Sequence, residues 1–136
     1  MNKLISSDKT DPAALTSGVE IKFSLDGETF YRVTILKGRS GNEALMAAVE
    51  EKMRPYRENG FEMNYLEPKV QKAITAEIFS RFVVVGWNED DFGVPYSPEE
   101  CERTMLASTD FAEFVMKSAN KASLFHKKGM KEAAGN

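Results

Sequence analysis

The stretch VEIKFSLDGETFYRVTIL, residues 19–36, decides the fold. Val19, Ile21 and Phe23 alternate with Glu20, Lys22 and Ser24 before Asp26-Gly27. After it, Tyr31, Val33 and Ile35 alternate with Arg32 and Thr34. A period of two on both sides of a turn dipeptide predicts a hairpin of half-buried strands over 19–36. Two registers compete. A two-residue turn at Asp26-Gly27 pairs Phe23 with Phe30 and Ile21 with Arg32, mixing charge into the apolar face. A three-residue loop, Leu25-Asp26-Gly27, pairs Phe23 with Thr29, Ile21 with Tyr31 and Val19 with Val33, leaving Glu20 opposite Arg32. The second register gathers the apolar residues on one face and is preferred. A lone hairpin is marginal in water, so that face must cover helices or a partner.

Downstream the period changes. Gly38 to Gly41 is a break, and Asn42 can cap a helix over 42–58 with Leu45, Val49, Met53 and Tyr56 on one stripe. Pro68 suits a first helical turn. Val70, Ala73, Ile74, Ile78 and Val85 then share a stripe that predicts one helix over 68–86. The triplet Val83-Val84-Val85 pulls locally toward strand, and whether 82–87 is a helix end or a strand stays open. Asn88 to Tyr96 is a punctuated loop. Ser97-Pro98-Glu99-Glu100 starts a helix over 98–108: Ser97 can accept from the Glu100 amide, and Glu100 can reach back to the Ser97 amide. A last helix over 110–126 carries Phe111, Phe114, Val115, Ala119, Ala122 and Phe125 on its stripe. Upstream, residues 1–17 are polar and aperiodic, and read as a flexible arm. Residues 127–136 read as a frayed basic tail. The expected class is α+β: an N-terminal hairpin, then about four helices, in one domain over 18–126.

Composition limits the chemistry. The 136 residues hold one Cys and one His and a net charge of -3. One Cys forms no internal disulfide, and one Cys with one His falls short of a structural zinc site. A Ser-His or Cys-His nucleophile would have to use His126, which sits among lysines and reads as solvent-exposed. The weak charge balance implies no general affinity for nucleic acid or membrane. The first residues lack an apolar run of signal-peptide length, and Phe82 to Trp87 is too short to span a bilayer. These features read as a soluble cytoplasmic protein without catalytic, cofactor or metal sites. Seven Met and nine Phe stand out instead. Both are large apolar types used in cores and adaptable interfaces.

Four segments invite a sharper reading. From Asn88, a calcium-loop pattern finds Asp90, Gly93 and Glu99 in place, but Phe92 occupies a ligand position and offers no oxygen. Glu89, Asp90, Asp91, Glu99 and Glu100 are adjacent in sequence, which does not make them converge; acids near a helix start serve its dipole. Gly38-Arg39-Ser40-Gly41 matches neither a phosphate loop nor a dinucleotide fingerprint. The lysines from Lys117 onward read as a solvated helix end. Cys101 reads as core. Trp87 and Phe92 flank the acidic loop, either as core or as exposed anchors.

VVGW, then NEDDFG, then VPYSPEECERTML and TDFAEFVMKSANKASLF together resemble the tail assembly chaperones of long-tailed, lambda-like bacteriophages. The matching residues are Gly86-Trp87, Asp91 with Gly93, Pro95-Tyr96-Ser97-Pro98-Glu99, and Phe111, Phe114 and Phe125. The resemblance covers about residues 68–126 and the hairpin only in outline. It implies a non-catalytic factor of the host cytoplasm, absent from the mature virion. Such a factor binds the tape measure protein, helps recruit tail tube subunits and self-associates into a ring or spiral. It also implies a longer frameshifted form in some members, for which codons of Lys127-Lys128-Gly129 are a candidate slippery site. A chaperone of this kind needs adaptable apolar grooves. The candidate partner residues are Met46, Met53, Trp87, Phe92, Met105, Phe114, Met116 and Phe125. The competing reading is a generic interaction adaptor or a structural virion protein.

Overall fold

A computed structural model describes residues 2–127, and the rest of the expected basic tail lies outside the described residues. The architecture is α+β, as expected. Strands β1 (Val19–Phe23) and β2 (Tyr31–Ile35) form the hairpin, and β3 (Val84–Trp87) adds to β2, giving a three-stranded antiparallel sheet in the order β1-β2-β3. Helices α1 (Lys3–Ser7) and α2 (Pro12–Ser17) precede the sheet. Helices α3 (Glu43–Glu58), α4 (Pro68–Phe82), α5 (Glu89–Phe92), α6 (Pro98–Ala107) and α7 (Thr109–Ala119) follow.

The hairpin register differs from the preferred one. Phe23 pairs with Tyr31, Ile21 with Val33 and Val19 with Ile35, so the ladder begins two residues later on β2. The cause is Asp26. Its carboxylate accepts from the amides of Glu28 (2.8 Å) and Thr29 (2.7 Å), while Ser24 Oγ accepts from the Gly27 amide (2.8 Å). These bonds close residues 24–30 into a loop held by its own side chains. Backbone donors from Thr29 and Glu28 pull the Asp26 carboxyl down to about 2. A slip of two preserves the faces, so Ile21, Phe23, Val33 and Ile35 are all buried. The charged pairing changes: Glu20 faces Thr34, and Lys22 faces Arg32.

The helix expected over 68–86 ends at Phe82. Val83 and Val84 are fully buried, and the Leu36 amide donates to the Val83 carbonyl at 2.7 Å. The β-branched run pairs with β2 instead of extending the helix. Val85, the last residue of the supposed stripe, is 43% exposed. The helix expected over 110–126 is also shorter. It ends at Ala119, with a separate 3-10 turn at Ala122–Phe125 that places Phe125 in the core. Gly38 donates its amide to the Ala119 carbonyl at 2.8 Å, which satisfies one orphan acceptor of the helix end.

The segment read as a flexible arm carries α1 and α2. Asn2 caps α1 and Asp11 caps α2, with Pro12 at the first turn. The Asp11 amide donates to the Phe125 carbonyl and the Lys127 amide to the Lys9 carbonyl, both at 2.8 Å. His126 sits between these bonds, bridged to Thr10. It is half-buried rather than solvent-exposed, and its Nδ1 is buried without a protein partner.

The remaining helices form where the caps predict. Asn42 Oδ1 accepts from the Leu45 amide at 3.1 Å, and Asn42 Nδ2 donates to the Phe82 carbonyl at 2.8 Å, tying the start of α3 to the end of α4. Ser97 Oγ accepts from the Glu100 amide at 3.0 Å. The reciprocal half of that capping box is absent because Glu100 instead holds Arg103 in a forked pair at 2.8 and 2.9 Å. One core runs between sheet and helices, with Val33, Ile35, Met53, Val83, Met105, Val115 and Phe125 fully buried. Among the described residues, no helix is long and apolar enough to cross a membrane.

Candidate functional site

The eight candidate partner residues separate into three groups. Met53, Met105 and Phe125 each have no exposed surface and hold the core together. Trp87, Phe92 and Phe114 are half-buried and belong to an aromatic chain. Trp87 stacks on Phe92 with centroids 4.1 Å apart and an interplanar angle of 7°. Phe92 meets Phe111 edge-on at 5.9 Å, Phe111 meets Phe23 at 5.5 Å, and Phe23 meets Phe114 at 5.1 Å. The Trp87 indole N–H donates to the Val94 carbonyl at 3.0 Å, so its polar edge is satisfied inside the chain.

The acidic loop is a structural clasp. Asn88 Oδ1 accepts from the Asp91 amide and caps α5. Asp91 then grips Arg32 through two guanidinium bonds (2.8 and 3.1 Å) and the Arg32 amide (3.0 Å). The paired Arg32 holds the Asp91 carboxyl below the usual carboxylate range. Among the described residues, no group of three or more acids, His or Cys is placed to hold a metal ion. Gly38 to Gly41 is folded against its own flank, with Lys37 Nζ donating to the Ser40 carbonyl (2.9 Å) and hydroxyl (3.0 Å). Cys101 is fully buried, and burial pushes its thiol up to about 12.

The third group is Met46 and Met116, which are 54% and 37% exposed. They lie on α3 and α7, far apart in sequence, and line one groove of about 510 Å³. Leu45, Met46 and Val49 of α3 form one wall, Met116 of α7 and its C-cap Asn120 another, and Phe79 of α4 also lines it. Gly38, Arg39, Glu50 and Arg57 complete the lining, and Arg57 pairs with Glu50 there. Met116 also lines a second hollow of about 320 Å³, which lies between α4 and α7 over Met105 and Ala76. Met116 lines both hollows. A further hollow of about 470 Å³ lies between α3 and α4. It is lined by Ala48, Pro55, Tyr56, Ile78 and Phe82 together with Glu51, Lys52, Glu77 and Arg81, and Lys52 pairs with Glu77 at 2.7 Å.

Leu45, Val49 and Phe79 were not singled out from the sequence as groove residues. For Phe79 the signal was the apolar doublet. Leu45-Met46, Ile78-Phe79 and Val115-Met116 each place the first residue in the core, at 4%, 5% and 0% exposure, and the second in the groove, which Leu45 also lines.

Comparison with known proteins supplies a lineage. A family model described as YdaY prophage protein matches residues 40–136. No curated protein and no solved structure matches the chain. The matched span starts just before α3 and takes in the whole groove apart from Gly38 and Arg39. The chain belongs to the YdaY prophage protein family and is therefore prophage-associated.

Proposed function

We propose that this member of the YdaY prophage protein family is a non-catalytic tail assembly chaperone. It holds an amphipathic helical segment of the tape measure protein in the groove lined by α3, α4 and α7 and helps recruit tail tube subunits. It acts in the host cytoplasm, self-associates, requires no cofactor and leaves before the virion matures. The observation that carries this reading is the open apolar groove, where Met46 and Met116 converge from separate helices. A long helical polypeptide exposes apolar stripes that aggregate unless covered. Methionine is suited to covering them, because its unbranched chain adapts to successive partner surfaces. Displacement by a polymerising tube requires that the groove bind with modest affinity. Prophage membership and the resemblance of residues 68–126 to tail assembly chaperones add support.

The alternative is a generic adaptor or structural virion protein of the prophage, which the family membership fits equally. Coexpression with the neighbouring tail genes, followed by pull-down and mass measurement, separates the two. The chaperone reading expects a complex with the tape measure protein and no copies of this chain in purified particles. A stoichiometric presence in mature particles supports the structural alternative and sinks the chaperone.

A further inference from the structure

The two outer edges of the sheet differ. At β3, the Tyr96 hydroxyl donates to the Val84 carbonyl at 2.7 Å, and α6 packs beside the strand. At β1, no backbone hydrogen bond outside the β2 ladder reaches Val19–Phe23 among the described residues. Strand alternation identifies which groups are open. The Arg32 carbonyl accepts from the Asn88 amide (2.9 Å), and the Arg32 amide donates to Asp91 (3.0 Å). Arg32 therefore turns its backbone toward β3 and away from β1. Lys22 stands opposite Arg32, so its backbone also turns away from the shared ladder, as does that of Glu20 two residues earlier. The amides and carbonyls of Glu20 and Lys22 form the free edge.

We propose that β1 pairs antiparallel with β1 of a second copy, about a two-fold axis at Ile21, joining two sheets into one. This register places Glu20 opposite the second copy's Lys22, and Lys22 opposite its Glu20. Each of these is a hydrogen-bonded pair, so both open amides and both open carbonyls of each strand are satisfied. Ile21 meets Ile21 and Val19 meets Phe23 on the core face, where side chains alternate away from the charged pairs. Centring on Glu20 or on Lys22 instead brings like charges together. A lysine on an edge strand ordinarily blocks pairing. Here Glu20 gives that lysine a partner in one register and no other, which specifies a closed pair instead of an open aggregate.

The interface uses no residue of the apolar groove and does not rest on the chaperone reading. The test is sedimentation equilibrium of the full chain alone, across concentration. The wild type is expected to move from one chain to two, with weaker association at high salt. Glu20→Lys and Lys22→Glu each oppose like charges twice and should raise the dissociation constant by roughly tenfold to a hundredfold. Mixing the two variants sets the all-basic edge of one against the all-acidic edge of the other and should restore dimers of mixed composition. Both positions are exposed, and circular dichroism confirms folding of each variant. A monomer at every concentration overturns the proposal. So does an assembly that persists unchanged in both variants, or folded variants that fail to recover association on mixing.

Discussion

Tyr96→Phe removes one oxygen and tests how the chain turns from helix into sheet. The hydroxyl lies 2.9 Å from the Ser80 carbonyl and 2.7 Å from the Val84 carbonyl. Ser80 is in the last turn of α4, where carbonyls lose their helical donors, and Val84 opens β3. Its single proton is shared between two acceptors, one at each side of the Val83 corner. Phenylalanine retains the ring, so packing against Trp87 at 5.4 Å is preserved and the loss is polar. Leaving part-buried carbonyls without a donor costs about 1–3 kcal/mol. Unfolding entropy near 2.1 cal/mol/K per residue gives roughly 0.3 kcal/mol/K for a chain of this length, so Tm should fall by roughly 3–10 °C. Differential scanning calorimetry of both proteins at pH 7 measures it. A second readout comes from pH. Burial pushes the Tyr96 hydroxyl up to about 12 from its ordinary 10. Its protonated form is therefore favoured by folding, and that contribution is complete below pH 10 and fades as pH rises toward 12. The wild type should lose stability over that interval faster than Tyr96→Phe, so the gap between them narrows. An unchanged Tm at pH 7, or a gap that stays constant to pH 12, would refute the capping role.

Other predictions bear on separate parts of the fold. Gly18 has φ +87°, and a Cβ there would stand 2.8 Å from the Ile35 carbonyl oxygen, so Gly18→Ala should destabilise by about 1–3 kcal/mol in chemical denaturation. A melt indistinguishable from wild type would mean that β1 does not enter the sheet as described. Cys101 should resist a thiol reagent in the native protein and react fully in guanidinium, since it is buried and its thiol is pushed up to about 12. Rapid native labelling would contradict its place in the core.

How much of this was legible in sequence depended on whether a signal was local. The hairpin faces followed from alternation alone, because a slip of two leaves every side chain on its own face. The register did not follow, because Asp26 closes a longer loop through side-chain bonds that no strand pattern encodes. Asn42 and Ser97 were readable as caps because each acts on its own next turn. The end of α4 was not, because two distant groups set it. The Leu36 amide takes the Val83 carbonyl, and the Tyr96 hydroxyl takes Ser80 and Val84. The candidate partner residues were chosen as large apolar side chains, which names both core and surface. Only packing separates Met53 and Met105, fully enclosed, from Met46 and Met116, which converge across a groove.

The central claim is that this groove binds a helical partner. Met46→Asp and Met116→Asp place charge in it at exposed positions, where stability should shift by no more than about 0.5 kcal/mol. Titration calorimetry of each variant against the tape measure protein, copurified with the wild-type chain, is the direct measurement. Each variant should remain folded and bind at least tenfold more weakly, a loss of about 1.4 kcal/mol. Folded variants that bind as tightly as the wild type would contradict the account.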